Sequence, residues 1–193
     1  MTLSARERAA LAQFEGLLRN PERVLQTWRT ADLFEEHGQT GVSIEAGRPM
    51  SPAIPKLERG YRQKTGRDFP ELLGAMLRLA DGLDVDGIHE SLVRLTRSDD
   101  LGSVLNGPRP AGRIEVESAG NDDRYVGLAF AVPYGQEPII IDEATGHLVF
   151  DDNRGEPLVV APSLVAFVES WCSYGLSLTA VVGGKLDALE RDP

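Results

Sequence analysis

Apolar and polar residues alternate along residues 113–161 with the period of two that is typical of β-strands with one buried face. Ile114 and Val116, for example, alternate with charged neighbours. The predicted strands are 113–117, 125–132, 139–141, 148–150 and 158–161. Short turns separate the last three, so that each strand reverses direction on its neighbour. The pattern therefore predicts a mostly antiparallel sheet.

A helix is predicted to close this sheet. Ser163 follows Pro162 and is placed to cap the helix, because its hydroxyl can accept a hydrogen bond from an amide of the first turn. Apolar residues then recur at helical spacing as far as Trp171. We expect one core between sheet and helix, in which four aromatic side chains are buried: Phe130, Phe150, Phe167 and Trp171.

Two further helices are predicted at the amino end. Ser4 and Glu7 have the spacing of a capping box, and Asn20-Pro21 provides a cap followed by proline at the first helical position. Residues 37–52 are rich in Gly, Ser and Pro and predict a linker, with a short extended piece at 42–44. The predicted organisation is a helical extension over residues 1–50, a core over 54–174 and a tail over 175–193.

The part of the predicted core that precedes the sheet also has helical signals. A helix is expected from Ile54-Pro55 to Thr65-Gly66. A second is expected after an N-terminal signal at Asp68, which precedes Phe69-Pro70-Glu71, and it continues to Ala80, with Gly82 placed to end it. Ile88–Leu95 is a further predicted strand. Helices combined with a mostly antiparallel sheet give an α+β fold, with a central sheet flanked by helices.

Charge and composition narrow the classes of partner. The 193 residues contain 20 Lys and Arg against 30 Asp and Glu, a formal net charge of −10. Such a surface repels phosphate backbones and disfavours nucleic-acid binding, whereas it suits a basic protein partner. It is equally typical of a surface that only confers solubility. The charged amino terminus and the lack of a long apolar run predict a cytoplasmic protein without a membrane segment.

No stretch of the sequence has the spacing of a known catalytic or metal-binding motif. The acidic residues near Asp84 fail as a calcium loop, because Gly82 and Val93 would stand where oxygen ligands are required. Gly183-Gly184-Lys185 lacks the other residues of a phosphate-binding loop. Cys172, the single cysteine, is expected to be a small buried side chain. The sequence predicts no catalytic residue, no cofactor and no metal.

Carboxylates are instead concentrated in two predicted turn regions. Residues 81–100 contain six, and residues 142–156 contain five. Asp84 and Asp86 in the first region, with Asp151 and Asp152 in the second, are the candidate partner-binding residues. Charges on loops that a rigid sheet carries can steer a basic partner toward the surface.

Several segments together resemble the SMI1/KNR4 (SUKH) superfamily. Phe69-Pro70-Glu71-Leu72-Leu73 through Leu79-Ala80-Asp81-Gly82 is similar to the family's helix and following turn, although Asp81 stands where the family prefers Asn. The segments 130–133, 139–142, 146–150 and 163–168 resemble its strand, acidic hairpin, strand and closing helix. Residues 1–50 have no counterpart, and the resemblance covers residues 54–174.

The resemblance implies an α+β fold without shared catalytic residues. It also implies that the chain is an immunity protein, since many bacterial members neutralise toxins by binding them. Other members are regulatory scaffolds, which gives the alternative of a protein-interaction module of the same fold. An enzyme with an unrecognised pocket is the third hypothesis. The expected partner is a protein, in the first case a basic toxin domain.

Overall fold

The computed structural model describes residues 2–30, 42–86, 93–95, 127–133, 139–142, 144–150, 158–178 and 180–183. For Lys64, Asp84, Asp86 and strands β3 and β4 it describes the backbone alone. The helices are α1 (Ala5–Leu18), α2 (Pro21–Thr30), α3 (Ile54–Thr65), α4 (Glu71–Leu79) and α5 (Leu164–Ser173). The strands are β1 (Ser43–Ala46), β2 (Leu83–Asp86), β3 (Val93–Leu95), β4 (Gly127–Pro133), β5 (Ile139–Asp142), β6 (Leu148–Phe150) and β7 (Leu158–Ala161).

The strands form one antiparallel sheet in chain order, from β1 at one edge to β7 at the other. The predicted α+β class and the antiparallel arrangement are confirmed. Strands predicted at 139–141, 148–150 and 158–161 correspond to β5, β6 and β7, whereas the predicted strand at 113–117 lies outside the described residues. Two strands at the other end, β1 and β2, lie where we predicted mainly linker and turn.

One hydrophobic core joins the sheet to the helices. Phe150 of β6 and Phe167 and Trp171 of α5 are buried in it, as predicted, while the side chain of Phe130 lies outside the described part. Helix α4 contributes an almost completely buried apolar face, and α1 and α2 contribute theirs. The core residues of these three helices are Ala10, Phe14, Leu17, Val24, Trp28, Leu72, Leu73, Met76 and Leu77.

The prediction that residues 1–50 form an extension outside the core is wrong. The ring of Phe14 in α1 lies 5.7 Å from that of Trp171 in α5, measured between centroids. The indole nitrogen of Trp28 in α2 donates a hydrogen bond to the carbonyl of Gly175 at 2.9 Å. Apolar periodicity located both helices correctly, but it does not indicate which other element an apolar face packs against.

The predicted boundary at residue 175 also falls inside the core. Leu176 is fully buried, and so are Leu178, Val181 and Val182 of the helical backbone that follows. Helix α5 ends in a Schellman motif, in which the amides of Gly175 and Leu176 donate to the carbonyls of Cys172 and Trp171. Gly175 has a φ of +59°, and a Cβ there would lie 3.0 Å from the Trp28 ring. The motif therefore holds α2 against the end of α5.

The caps predicted at Ser4 and Ser163 are present, whereas α4 begins after Pro70 and ends at Ala80 without the predicted caps at Asp68 and Gly82. Ser4 and Glu7 form the complete capping box of α1: the Glu7 amide donates to Ser4 Oγ at 3.2 Å, and the Ser4 amide donates to Glu7 Oε2 at 2.8 Å. Ser163 caps α5 by accepting a hydrogen bond from the Ala166 amide. These bonds satisfy amides that the first turn of a helix leaves without partners.

An exposed ion pair links α1 to α5. Arg6 donates to both carboxylate oxygens of Glu169, at 2.8 and 2.6 Å. These hydrogen bonds hold the pKa of Glu169 below its usual value. Because the folded pKa is depressed, the pair contributes stability above the unfolded pKa, and that stability is lost as the pH falls through the folded pKa. We expect Glu169→Gln to reduce the loss of melting temperature between pH 6 and pH 3, by a small amount because the pair is exposed. An unchanged pH profile would contradict this.

Candidate protein-binding surface

Asp84 and Asp86, predicted in a solvated turn, lie in strand β2 instead. They alternate with Leu83 and Val85, whose side chains are fully buried. Successive positions of a strand belong to opposite faces of the sheet, so positions 84 and 86 share the face opposite to that of Leu83 and Val85. The pairing of β2 between β1 and β3 fixes these positions, whereas a turn would leave them variable.

The register adds a third acidic residue that we did not predict. Glu45 of β1 lies directly opposite Asp84, and Ser43 lies opposite Asp86. Glu45 and Ser43 are exposed on the edge strand. Positions directly opposite in an antiparallel pair share a face, so positions 45, 84 and 86 lie on one face of the sheet, which we call the acidic strand surface. The sequence signal was the extended piece at 42–44, but only the register reveals that Glu45 joins the aspartates.

In the register, Asp84 lies opposite an acidic residue on one side and a basic residue on the other. Glu45 and Asp84 are acidic residues at directly opposite positions of the β1–β2 register. On its other side, position 84 lies opposite position 94 of β3, which holds an arginine. The formal charge of the four positions is −2.

The chain crosses itself closely where this surface meets α4. The Gly47 amide, one residue beyond β1, donates to the Gly82 carbonyl at 2.9 Å. A Cβ at Gly47 would lie 1.8 Å from the carbonyl oxygen of Asp81, a distance that no side chain can adopt without movement of the backbone. Asp81 lies in the turn after α4 and is buried, with a relative exposure of 8%. Glycine at position 47 is therefore needed to seat β1 against β2.

We expect Gly47→Ala to destabilise the protein by about 1–3 kcal/mol, because the new methyl group must displace the turn at Asp81. Chemical denaturation gives the change in the free energy of unfolding, and hydrogen exchange shows whether the β1 amides lose protection. Gly16→Ala is the matched control, since its nearest neighbouring atom is 4.0 Å away and alanine favours a helix. Equal stability of Gly47→Ala and the wild type would show that β1 is not held by this crossing.

The second predicted acidic region divides into two parts. Asp151 and Asp152 lie outside the described residues, so their place in a binding surface stays a prediction. Asp142, which belongs to the same acidic region, is buried and structural. Its carboxylate accepts hydrogen bonds from the amides of Ala144 and Thr145 at 3.1 and 3.2 Å and thereby fixes the turn between β5 and β6. The carboxylate of Asp142 therefore stabilises the turn of its own chain.

The remaining candidates for chemistry are the cysteine thiol and possible clusters of metal ligands. Cys172 is buried, as predicted, and desolvation raises the pKa of its thiol to about 12, so the thiolate that a nucleophile requires is disfavoured at neutral pH. Within the described ranges, no three His, Cys, Asp or Glu residues come together as a metal site. None of the described helices is both long and apolar enough to cross a bilayer.

Comparison with known proteins gives no relative: the chain matches no family model, no curated protein and no solved structure.

Proposed function

We propose that this chain is a non-catalytic protein-binding module of SMI1/KNR4 type and acts in the bacterial cytoplasm as an immunity protein. In this proposal it neutralises a toxin domain by binding it directly, and the acidic strand surface meets a basic surface of the toxin. The observation that carries the proposal is the register, which places positions 45, 84 and 86 on the same face of the sheet and opposite to the face of the buried Leu83 and Val85.

The arrangement of the segments that resemble the family supports the proposal. Helix α4, the β5–β6 hairpin and helix α5 are distant in the sequence but contribute to the same core. Leu72 and Leu77, Leu148 and Phe150, and Phe167 supply the apolar positions of the three segments. The turn after α4 leads directly into β2, which carries Asp84 and Asp86. The core built from these three segments would thus carry the acidic strand surface.

The like-charge pair also favours binding over a purely structural role. Glu45 opposite Asp84 is not a favourable pairing of residue types across two strands, so a basic partner would explain the two acidic positions better than sheet formation does. Charges at the rim of an interface mainly raise the rate of association and select the partner. A small loss of stability is a common consequence of residues that serve function.

Affinity purification of the full chain from its host, followed by co-expression with the recovered partner, tests the function. We expect a partner whose expression alone arrests growth, and we expect the wild-type chain to restore growth. The chain carrying Glu45→Lys, Asp84→Lys and Asp86→Lys should fold but protect poorly. Asp68→Asn is the control, because Asp68 is an exposed carboxylate elsewhere on the molecule.

A harmless partner that binds equally well would instead support the regulatory or scaffolding module. Turnover of a small molecule by the purified chain would support the enzyme hypothesis and contradict the proposal.

A further inference from the structure

Three of the four sulfur-containing residues of the chain lie in the described part of the structure: Met50, Met76 and Cys172. Biological oxidants convert a methionine thioether to the sulfoxide and a cysteine thiol to the sulfenic acid. A side chain is susceptible when it is exposed and, for cysteine, when its thiol loses a proton. The three residues differ in these properties.

Met76 and Cys172 are both protected from oxidation by the fold. Met76 lies in α4 and is fully buried in the common core. Cys172 is buried in α5, and desolvation raises the pKa of its thiol to about 12, which leaves little of the reactive thiolate at neutral pH. An oxidant in solution therefore reaches Met76 only when the packing around α4 opens.

Met50 has the opposite surroundings. It is 71% exposed, whereas the other exposed large apolar residue of the described part, Val159, is 47% exposed. The backbone of Met50 is nevertheless held in place: its amide donates to the carbonyl of Arg78 in α4 at 3.0 Å, and its φ is +55°. Non-glycine residues seldom have a positive φ. The thioether is thus presented to solvent from a fixed backbone.

We propose that Met50 is a site of reversible oxidation by hydroperoxides, and that within the described part of the chain oxygen is taken up there first. The sulfur attacks one peroxide oxygen: a sulfur–oxygen bond forms, the oxygen–oxygen bond breaks, and the sulfur loses two electrons. With hydrogen peroxide, the second oxygen leaves as water with both protons. Methionine sulfoxide reductases return the thioether, and their thiols supply the two electrons and become a disulfide.

The fold should accept this modification without loss of stability. The Met50 side chain does not belong to the core, and oxidation leaves its amide able to donate to the Arg78 carbonyl. The reaction converts the most exposed of the large apolar side chains described into a polar one. It therefore alters the surface of the connection between β1 and α3, while the core keeps its packing.

The test is a time course of the full chain with hydrogen peroxide, followed by peptide mapping with mass spectrometry. We expect the Met50 peptide to gain one oxygen at least about tenfold faster than the Met76 peptide, because access to Met76 needs local opening. The chain oxidised at Met50 should melt at the same temperature as the untreated chain, and a mixture of the two epimer-specific sulfoxide reductases should restore its mass. The peptide of Met1, which lies outside the described residues, is measured separately.

Met50→Leu keeps an apolar side chain of similar size and should abolish the rapid oxygen uptake outside Met1. Met76→Leu is the matched control and should leave the rapid uptake unchanged. Equal rates at Met50 and Met76, or oxygen uptake at Cys172 before Met50, would overturn the proposal. A lower melting temperature after oxidation of Met50 in the Met76→Leu chain, or a sulfoxide that the reductases do not return to the thioether, would overturn it as well.

Discussion

The chain without residues 1–50 is expected to show no cooperative thermal unfolding transition. Helices α1 and α2 bury five apolar side chains in the common core: Ala10, Phe14, Leu17, Val24 and Trp28. At ~1.5–3 kcal/mol for each large side chain, their removal costs roughly 10 kcal/mol, which is as large as the whole stability of a typical domain. Differential scanning calorimetry of the truncated chain measures the effect.

A peptide of residues 2–30 added to the truncated chain is the control. Because α1 and α2 pack as a unit on α4 and α5, we expect the peptide to restore a transition at high concentration, and a peptide with Phe14→Asp not to do so. A truncated chain that melts within a few degrees of the full chain would show that residues 51–193 fold without α1 and α2, as the sequence pattern predicted.

The second large effect is expected at Trp171. Its side chain is fully buried between Phe14 and Phe167, with ring centroids 5.7 and 6.1 Å away. We expect Trp171→Ala to lower the free energy of unfolding by about 3–5 kcal/mol, since the sheet and α1 cannot collapse into the cavity. Urea denaturation monitored by far-UV circular dichroism gives the change.

Substitution of each tryptophan by phenylalanine separates packing from hydrogen bonding. Trp28 donates to the Gly175 carbonyl, whereas the indole nitrogen of Trp171 has no hydrogen-bond partner among the described residues. Both side chains are fully buried. Trp28→Phe should therefore cost about 1 kcal/mol more than Trp171→Phe, because it leaves a buried carbonyl without its donor. The reverse order would mean that Trp171 has a polar partner in solution.

Local sequence signals were sufficient for most helices and for the carboxyl-terminal half of the sheet. The capping box at Ser4 and Glu7 is present, and the alternating runs at 139–141 and 148–150 are strands. Each of these features depends on residues close together in the chain, so spacing alone identifies them. The α+β class follows from the same signals.

Long-range packing accounts for what the sequence did not indicate. Strand β2 contains Asp84 and Asp86 in only four residues, a composition that favours a turn, and it is a strand because β1 and β3 pair with it. Glu45 joined the candidate surface through the same pairing. The contact between Trp28 and Gly175 spans 147 positions, so no local pattern could assign α2 to the core.

Association kinetics over a salt series test the central claim, that the acidic strand surface binds a basic protein partner. For the partner recovered by affinity purification, surface plasmon resonance compares the wild type with the chain carrying Glu45→Gln, Asp84→Asn and Asp86→Asn; Asp68→Asn is the control. We expect the wild-type association rate to fall as salt rises from ~0.05 to ~0.5 M, because screening shortens the range of the charges. The triple variant should associate about tenfold more slowly at low salt and depend less on salt. Identical rates for the wild type and the triple variant at every salt concentration would contradict the account.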